Sequence, residues 1–223
     1  MSDSKKIANL LAVARKEGLA VPEVAADRLN AYVDLLRIWN RHTQLVSRND
    51  QREFVALHLA ECFAPACVFD FSTIKRMIDF GSGAGLPGLP LAILFPHLQV
   101  ALLESKRKKT RFLAAACVEL KLDNVEILAC HSDEIESSNF YHYHAVIARA
   151  VARLAKLWGM SARLLAPNGV LLAMKGGELT EELHELQGVP SIGKIEIKEY
   201  PDALVEPQKK RKLIIVHGTS HLR

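Results

Sequence analysis

The sequence lacks the features that mark exported, membrane-spanning or disulfide-bonded proteins. No stretch reaches the roughly 18 uninterrupted apolar residues of a membrane-spanning helix, and the N-terminus is polar, without a signal-length apolar run. The only cysteines are Cys62, Cys67, Cys117 and Cys130, and no two of them form a CxxC pair. We interpret them as reduced, buried small hydrophobic residues. The chain is therefore expected to act in the cytoplasm, without a membrane and without a bound metal.

A large excess of charge of one sign is also missing. The 29 Lys and Arg residues are nearly balanced by 25 Asp and Glu residues, and the net charge is only +4. The whole-chain balance therefore does not indicate a nucleic-acid partner, and only the distribution of the charges can do so. Hydrophobic residues make up 49% of the 223, enough for a sizeable core in one large domain, or in one domain with an appendage.

The most informative stretch is residues 76–88, where an apolar strand runs into a glycine-rich turn. Four of the twelve glycines of the chain lie within eight residues. These are Gly81, Gly83, Gly85 and Gly88. Residues 89–95 then resume an apolar, helix-compatible run. Strand, glycine-rich turn and helix are the opening of a nucleotide-binding βαβ unit, because glycine permits positive φ and close approach of the backbone to a ligand.

Two carboxylates indicate which nucleotide the turn binds. Asp79 lies two positions before the first glycine, and Glu104 ends the next predicted strand. A carboxylate at that strand end can accept hydrogen bonds from both ribose hydroxyls, which suits S-adenosylmethionine, a nucleoside without phosphate. A dinucleotide is the alternative, since residues 83–88 formally match G-x-G-x-x-G. Against it, these glycines begin two residues late, and Pro87 removes a backbone N–H that a pyrophosphate would use.

The order of the elements predicts an α/β fold behind an N-terminal helical cap. Three amphipathic helices come first, and Asn49-Asp50 is predicted to cap the third. Strands and helices then alternate, as in a doubly wound, mostly parallel sheet. The predicted elements are strand 76–80, helix 88–95, strand 99–103, helix 106–121, strands 125–129 and 144–148, helix 151–165, strand 169–174 and helix 178–187.

The C-terminal region is predicted to form a hairpin. Its strands, residues 192–200 and 212–217, are joined by a polar loop and would add an antiparallel strand to the sheet. A seven-stranded, mostly parallel sheet with such a hairpin is typical of class I (Rossmann-like) methyltransferases. We expect residues 1–70 to form the cap and residues 71–223 the Rossmann-like domain, as one compact unit.

Positive charge is concentrated where the helix after the second strand begins, behind Ser105, its predicted cap. The basic residues are Lys106, Arg107, Lys108 and Lys109, followed by Arg111. Helix N-termini favour acidic residues, and each misplaced cation costs about 0.3–1 kcal/mol. Ligands bind at this carboxyl edge of open α/β sheets, so we interpret the turn as a basic rim for a polyanion such as RNA. The alternative is an ordinary solvated run of charge.

Arg149 follows the fourth predicted strand, whose end faces the acceptor in methyltransferases. The Asp/Asn-Pro-Pro-Tyr/Phe motif of amino-group methylases is absent, and no cysteine follows this strand to serve a pyrimidine-C5 methylase. With these two classes excluded, the remaining class of acceptor is an atom that is already nucleophilic, such as a purine N7. Transfer to it is an in-line displacement at a sulfonium and needs positioning and desolvation rather than a base. Arg149 would orient guanine through O6 or hold a phosphate; a salt-bridge role is the alternative.

Further motifs accompany the turn, of which Gly-x-Pro-Gly-x-Pro at residues 85–90 is the most specific. The others span residues 35–40, 58–59, 103–105, 108–113, 148–150, 174–176 and 211–216. With these motifs the chain resembles, nearly end to end, the bacterial small-subunit ribosomal RNA guanine-N7 methyltransferases, the glucose-inhibited division protein B family. The resemblance implies a class I enzyme that methylates a guanine N7 in 16S rRNA with S-adenosylmethionine. The substrate is either free rRNA or a small-subunit particle, and we expect the enzyme to be a monomer.

The resemblance also implies site residues. The cofactor-binding residues are expected to be Asp79, Gly81, Ser82, Gly83, Gly85, Leu86, Glu104, Ser105, Ser132, Asp133 and Arg149. The RNA-binding residues are expected to be Lys106, Arg107, Lys108, Lys109, Arg111 and Arg211. Arg149, Lys108 and Lys109 are the candidate catalytic residues. A nucleotide-dependent oxidoreductase and a non-catalytic RNA-binding module remain alternative functions.

Overall fold

The computed structural model describes residues 1–47 and 53–219. The predicted cap at Asn49-Asp50 lies outside these residues. The helices are α1 (Asp3–Lys16), α2 (Ala25–Asn40), α3 (Ala60–Val68), α4 (Gly88–Leu94), α5 (Arg107–Glu119), α6 (Leu154–Ser161) and α7 (Thr180–Gln187), and a π-helical segment, Val55–Leu59, leads into α3. The predicted helical region before the first strand is thus present, and Ser2 caps α1 by accepting a hydrogen bond from the Lys5 N–H.

Seven strands form one mixed sheet. They are β1 (Arg76–Phe80), β2 (Gln99–Leu103), β3 (Val125–Leu128), β4 (Tyr143–Arg149), β5 (Leu165–Lys175), β6 (Ile192–Glu199) and β7 (Lys212–Gly218), in the order β3-β2-β1-β4-β5-β7-β6. The first five strands are parallel, and β7 is antiparallel to both of its neighbours. The predicted seven-stranded α/β sheet with an antiparallel C-terminal strand is confirmed. The strand order reverses between β1 and β4, where open α/β folds bind ligands.

Side chains alternate between the two faces of the sheet and build one hydrophobic core on each. Met77, Val100 and Ile147 face the cap helices together with α4 and α5. Ile78, Ala101 and their neighbours face α6 and α7. The cap is further tied to the glycine-rich turn by Tyr32, whose buried hydroxyl donates a hydrogen bond of 2.7 Å to the Ala84 carbonyl. The cap and the sheet therefore share one continuous core on the side of Tyr32.

Two predictions about the helices were wrong. Ser105 does not cap α5: the N-cap residue is Lys106, and no side chain caps it. The N–H of Lys106 itself donates 2.8 Å to the Glu104 carboxylate, so the end of the preceding strand satisfies the backbone donor at the start of α5. The helix predicted over 151–165 spans only Leu154–Ser161, because a loop precedes it and a 3₁₀ turn follows before β5 begins at Leu165.

Candidate active site

The glycine-rich turn folds back over the end of β2. Gly81, Gly83 and Gly85 all have positive φ, which side chains rarely adopt. The Gly81 and Ser82 N–H groups both donate 3.0 Å to the Leu103 carbonyl, and the Gly83 N–H donates 3.0 Å to the Glu104 carboxylate. The turn is thereby held against the strand end, with its backbone exposed toward the carboxyl edge of the sheet.

Glu104 is fixed by backbone groups on both carboxylate oxygens. Oε2 accepts from Gly83 at 3.0 Å and Oε1 accepts from Lys106 at 2.8 Å. The residue is only 8% exposed, and Lys109 Nζ lies 3.9 Å from Oε2. A carboxylate has about four lone-pair sites, so two remain for the hydroxyls of a bound sugar. The side chain is a preorganised acceptor at the end of a buried strand.

A cavity of about 250 Å³ opens beside Glu104. Of the predicted cofactor residues, Gly81, Glu104, Ser105 and Ser132 line it. The other lining residues were not predicted, and they include Cys130, His131, Val151, Ala152, Lys156 and Met160. Residues 130–132 and 151–152 follow the ends of β3 and β4, so their position after a parallel strand was the available signal. Asp133 is exposed and follows Ser132 in a 3₁₀ turn.

Lys175 fixes the loop that closes one side of this cavity. Its ammonium donates 2.7 Å to the Ala152 carbonyl and 2.7 Å to the Glu182 carboxylate. The same carboxylate accepts from the Leu154 N–H at 2.9 Å, where α6 begins. Directly before these anchors, Val151 packs so closely over Gly81 that a Cβ added at Gly81 would lie 3.1 Å from Val151 Cγ2. The Met-Lys-Gly motif therefore holds the loop after β4.

Asp79, Ser82 and Leu86 are buried and do not line the cavity. Asp79 is 0% exposed, and its Oδ2 accepts from the Gly88 N–H at 2.9 Å. Burial raises the pKa of this carboxyl to about 7, against the opposing effects of the Gly88 N–H and of Arg149. Among the described residues, Oδ1 has no hydrogen-bond partner. Through this hydrogen bond the Asp79 carboxyl holds the start of α4 against β1.

Asp79→Asn is expected to change how stability depends on pH. In the unfolded chain the carboxyl loses its proton near pH 4, whereas in the folded protein it keeps the proton to about pH 7. Between these values deprotonation favours unfolding, so wild-type stability falls as pH rises. The free energy of unfolding of the wild type, relative to Asp79→Asn, should fall by about 1 kcal/mol per pH unit from pH 5 to 7 and then level off. Urea unfolding measures this, and a constant difference would contradict it.

Arg149 belongs to a second cluster, built where β4, the cap and the start of β7 meet. Its Nη1 lies 3.1 Å from His58 Nδ1 and 3.5 Å from Glu61 Oε2. The other Glu61 oxygen, Oε1, lies 3.3 Å from Arg211 Nε. Glu61 is 5% exposed and pairs with both guanidinium groups. Arg149 therefore does not line the cavity beside Glu104, and Arg211 lies with Arg149 rather than with the basic turn of α5.

The basic turn divides into exposed and inward-facing residues. Lys106, Arg107, Lys108 and Arg111 are exposed at the beginning of α5. Lys109 is half-buried, 3.9 Å from Glu104, and its Nζ would lie 3.6 Å from a Cβ added at Gly83. The first turn of α5 contains no acidic residue to balance these cations. The two candidate catalytic lysines thus differ in surroundings: Lys108 faces solvent and Lys109 faces the cavity edge.

Comparison with known proteins shows which family the chain belongs to. The profile of the family described as "GidB: rRNA small subunit methyltransferase G" matches residues 25–214. The chain belongs to this family. The ribosomal RNA small subunit methyltransferase G of Chlorobaculum tepidum is 36% identical over 205 residues, covering 91% of this chain and 93% of the relative. The enzyme of that name from Neisseria meningitidis serogroup A is 35% identical over 184 residues, covering 82% and 86%.

Solved structures share the fold of this rRNA methyltransferase at low identity. The tRNA methyltransferase TrmI from Aquifex aeolicus superposes with a TM-score of 0.52 and 16% identity, over 65% of this chain and 62% of that chain. The P. horikoshii TYW2 structure in complex with MeSAdo gives a TM-score of 0.52 with 12% identity, over 66% and 57%. The predicted class I methyltransferase fold is confirmed. Within the described residues, no helix is both long and apolar enough to cross a membrane.

Proposed function

We propose that the protein transfers the methyl group of S-adenosylmethionine to N7 of a guanine in 16S rRNA. The observation that supports this most strongly is Glu104, held by two backbone N–H groups at the end of β2 beside a cavity of about 250 Å³. A fixed carboxylate in this position matches the two hydroxyls of a ribose. We assign the side-chain-free turn at Gly81 and Gly83 to the amino-acid tail of the cofactor. Ser132, which lines the cavity, and the adjacent Asp133 are assigned to the adenine end.

The start of α4 argues against a dinucleotide. Dinucleotide-binding folds direct the free N–H groups of this helix toward a pyrophosphate. In this chain the Gly88 N–H, the first of α4, donates to the buried Asp79 carboxyl, and every residue of α4 is buried. A diphosphate would have to displace that contact within the core. The oxidoreductase alternative is therefore not supported.

We assign to the protein the task of positioning the methyl donor and the guanine, rather than of activating either of them. When bound, S-adenosylmethionine supplies a methyl group on a positively charged sulfur, which makes it an electrophile without further activation. The N7 lone pair of guanine lies in the ring plane and needs no deprotonation, so the chain must align the base and exclude water. Arg149, held by His58 and Glu61 at the end of β4, is assigned to the base. The exposed Lys106, Arg107, Lys108 and Arg111 are assigned to RNA phosphates.

The proposed reaction is tested on ribosomal RNA from a strain that lacks this gene. Mass mapping of its 16S rRNA should show one guanine without the methyl group that the parent strain carries. Purified protein with S-adenosylmethionine should restore that methyl group to small subunits from the deletion strain. An unchanged modification map would contradict the proposal, and tight RNA binding without cofactor binding would instead support a non-catalytic RNA-binding module.

Lys108→Glu and Lys109→Glu are expected to separate RNA binding from cofactor binding. Lys108 is exposed, so its reversal should weaken RNA binding by about 10-fold and leave cofactor affinity unchanged. Lys109 lies 3.9 Å from Glu104, so its reversal places a second carboxylate at the cavity and should weaken both. Filter binding of small-subunit rRNA and calorimetric titration of S-adenosylmethionine measure the two affinities. Lys5→Glu, at an exposed lysine of α1, is the control; equal loss of both affinities in Lys108→Glu would contradict the assignment.

We also propose that residues 1–70 and 71–223 fold as one unit that acts as a monomer in the cytoplasm, on free 16S rRNA or on a small-subunit particle. The shared core of the cap and the sheet supports the single unit, since Leu11 and Leu29 of the cap lie in the same buried cluster as Val100 and Leu172. Light scattering should give the mass of one chain, and urea unfolding should show a single transition.

A further inference from the structure

A second cavity, of about 230 Å³, lies between the cap and the loop that leads into β7. Its polar lining consists of His58, Glu61, Glu206, Lys209 and Arg211. Arg149 does not line this cavity but contacts two residues that do, His58 and Glu61. Asp79 of β1 lies beside Ile147 of β4 in the parallel register. Two residues further along each chain segment, Arg149 is therefore level with Gly81. The cavity is thus one side chain away from the turn that is proposed to hold the methyl donor.

The charges around this cavity do not favour an anion. Glu61 and Glu206 offset Arg211 and Lys209, with contacts of 3.3 Å for Glu61 to Arg211 and 3.1 Å for Glu206 to Lys209. A phosphate placed here would meet two carboxylates, whereas the exposed turn of α5 offers cations with no acidic residue in its first turn. The cavity therefore fits an uncharged ring that presents both hydrogen-bond donors and acceptors.

Glu61 retains capacity to accept hydrogen bonds. It is 5% exposed, and its contacts to Arg149 and Arg211, at 3.5 and 3.3 Å, use one lone-pair site on each oxygen. The Tyr200 hydroxyl is a second buried group close to Glu61: the residue is 5% exposed, and its oxygen has no hydrogen-bond partner among the described residues. Burial and the nearby Glu61 carboxylate raise the pKa of this phenol well above its ordinary value, so it remains a donor. The part of the structure around the cavity thus combines a buried acceptor, Glu61, with one buried donor, the Tyr200 hydroxyl.

We propose that this cavity binds the acceptor guanine and that Glu61 recognises its N1–H and N2 amino groups. This inference rests on the proposed function, and it adds the residue that selects the base. A carboxylate accepts from both groups at once. N7 lies on the opposite, imidazole side of the purine, so its lone pair stays free for the methyl group. A base reaches such a cavity only when it is unstacked and turned out of its RNA helix.

The proposal predicts discrimination between guanine and hypoxanthine, which lacks the N2 amino group. Ligand-observed NMR can measure binding of GMP and IMP to the full-length protein saturated with S-adenosylhomocysteine. One charge-assisted hydrogen bond corresponds to a difference in affinity of at least about 10-fold, so GMP should bind about 10-fold more tightly than IMP. In Glu61→Gln this ratio should fall to about 2-fold or less, because the amide offers one acceptor oxygen in place of two. Glu61→Asp, which keeps the charge, should retain a preference for GMP.

The controls separate this inference from the proposed function. Glu199→Gln, at a carboxylate on β6 that pairs with Lys212, should keep the wild-type ratio. S-adenosylhomocysteine affinity and thermal unfolding of each variant report whether the fold is intact. Equal binding of GMP and IMP by the wild type, no GMP binding at millimolar concentration, or a preference that survives in Glu61→Gln would overturn the inference. Methyl transfer to guanine N7 alongside any of these results would leave the proposed function standing, whereas absence of cofactor binding would remove that function itself.

Discussion

Glu104→Gln is expected to weaken binding of S-adenosylmethionine by about 100-fold or more. Both oxygens of the carboxylate already accept backbone N–H groups, at 3.0 Å from Gly83 and 2.8 Å from Lys106. A glutamine amide has one acceptor oxygen, so its NH₂ group would face one of these N–H donors and displace part of the turn. The ribose would also lose a charged acceptor. Two charge-assisted hydrogen bonds at about 1.5 kcal/mol each give about 3 kcal/mol, or roughly 100-fold.

Isothermal titration of the cofactor measures this effect directly. Glu119→Gln, at an exposed carboxylate near the end of α5, is the matched control and should bind as the wild type does. Thermal unfolding of both variants without cofactor shows whether the turn survives the substitution. If Glu104→Gln binds S-adenosylmethionine within a few-fold of the wild type while folding normally, the ribose does not lie at this carboxylate.

Gly88→Ala is expected to destabilise the protein by about 3 kcal/mol, because α4 begins where the core leaves no room for a methyl group. A Cβ at this position would lie only 2.4 Å from Leu102 Cδ2 and 2.7 Å from Asp79 Oδ2. Both neighbours are fully buried and cannot move into solvent. The methyl group would also push the Asp79 carboxyl away from the Gly88 N–H, its one hydrogen bond in the described part of the chain.

Gly159→Ala provides the matched helical control. This glycine lies inside α6, and a Cβ there would meet no atom within 4 Å. Alanine loses less backbone entropy on folding than glycine, so this variant should be as stable as the wild type or more stable by up to about 1 kcal/mol. Urea unfolding of both variants compares them. Equal midpoints for Gly88→Ala and the wild type would mean that α4 does not begin against Asp79 and Leu102.

Most strands could be predicted because they are short apolar runs bounded by turn residues, and β6 could be predicted because its residues alternate between apolar and charged. The start of β5 was the clearest exception: residues 167–169, Pro-Asn-Gly, are typical of a turn, and the strand was predicted to begin at residue 169. In the structure β5 begins at Leu165, which pairs with Tyr143 across an irregularity in the register, and Asn168 adopts a positive φ of 63°. β5 therefore continues through a local break that the sequence pattern places before the start of the strand.

The site was predictable only where its residues are close in sequence to a strand end. Glu104 follows β2 directly, and the glycine-rich turn follows β1, so position alone indicated both. The pairing of Arg149 with Glu61 joins residues 88 positions apart and depends on how the cap packs against the sheet. The roles of Val151 and Lys156 at the cavity depend likewise on the loop that Lys175 holds. Such long-range contacts leave no pattern in the local sequence, so they could not be predicted from it.

The most direct test of this account is methyl transfer in vitro. Small ribosomal subunits from a strain that lacks the gene are incubated with the protein and labelled S-adenosylmethionine, and the 16S rRNA is digested and analysed by mass spectrometry. The account predicts label in a single 7-methylguanosine, present with the wild type and strongly reduced with Glu104→Gln. Label on any other base or atom, or equal transfer by the two proteins, would contradict it.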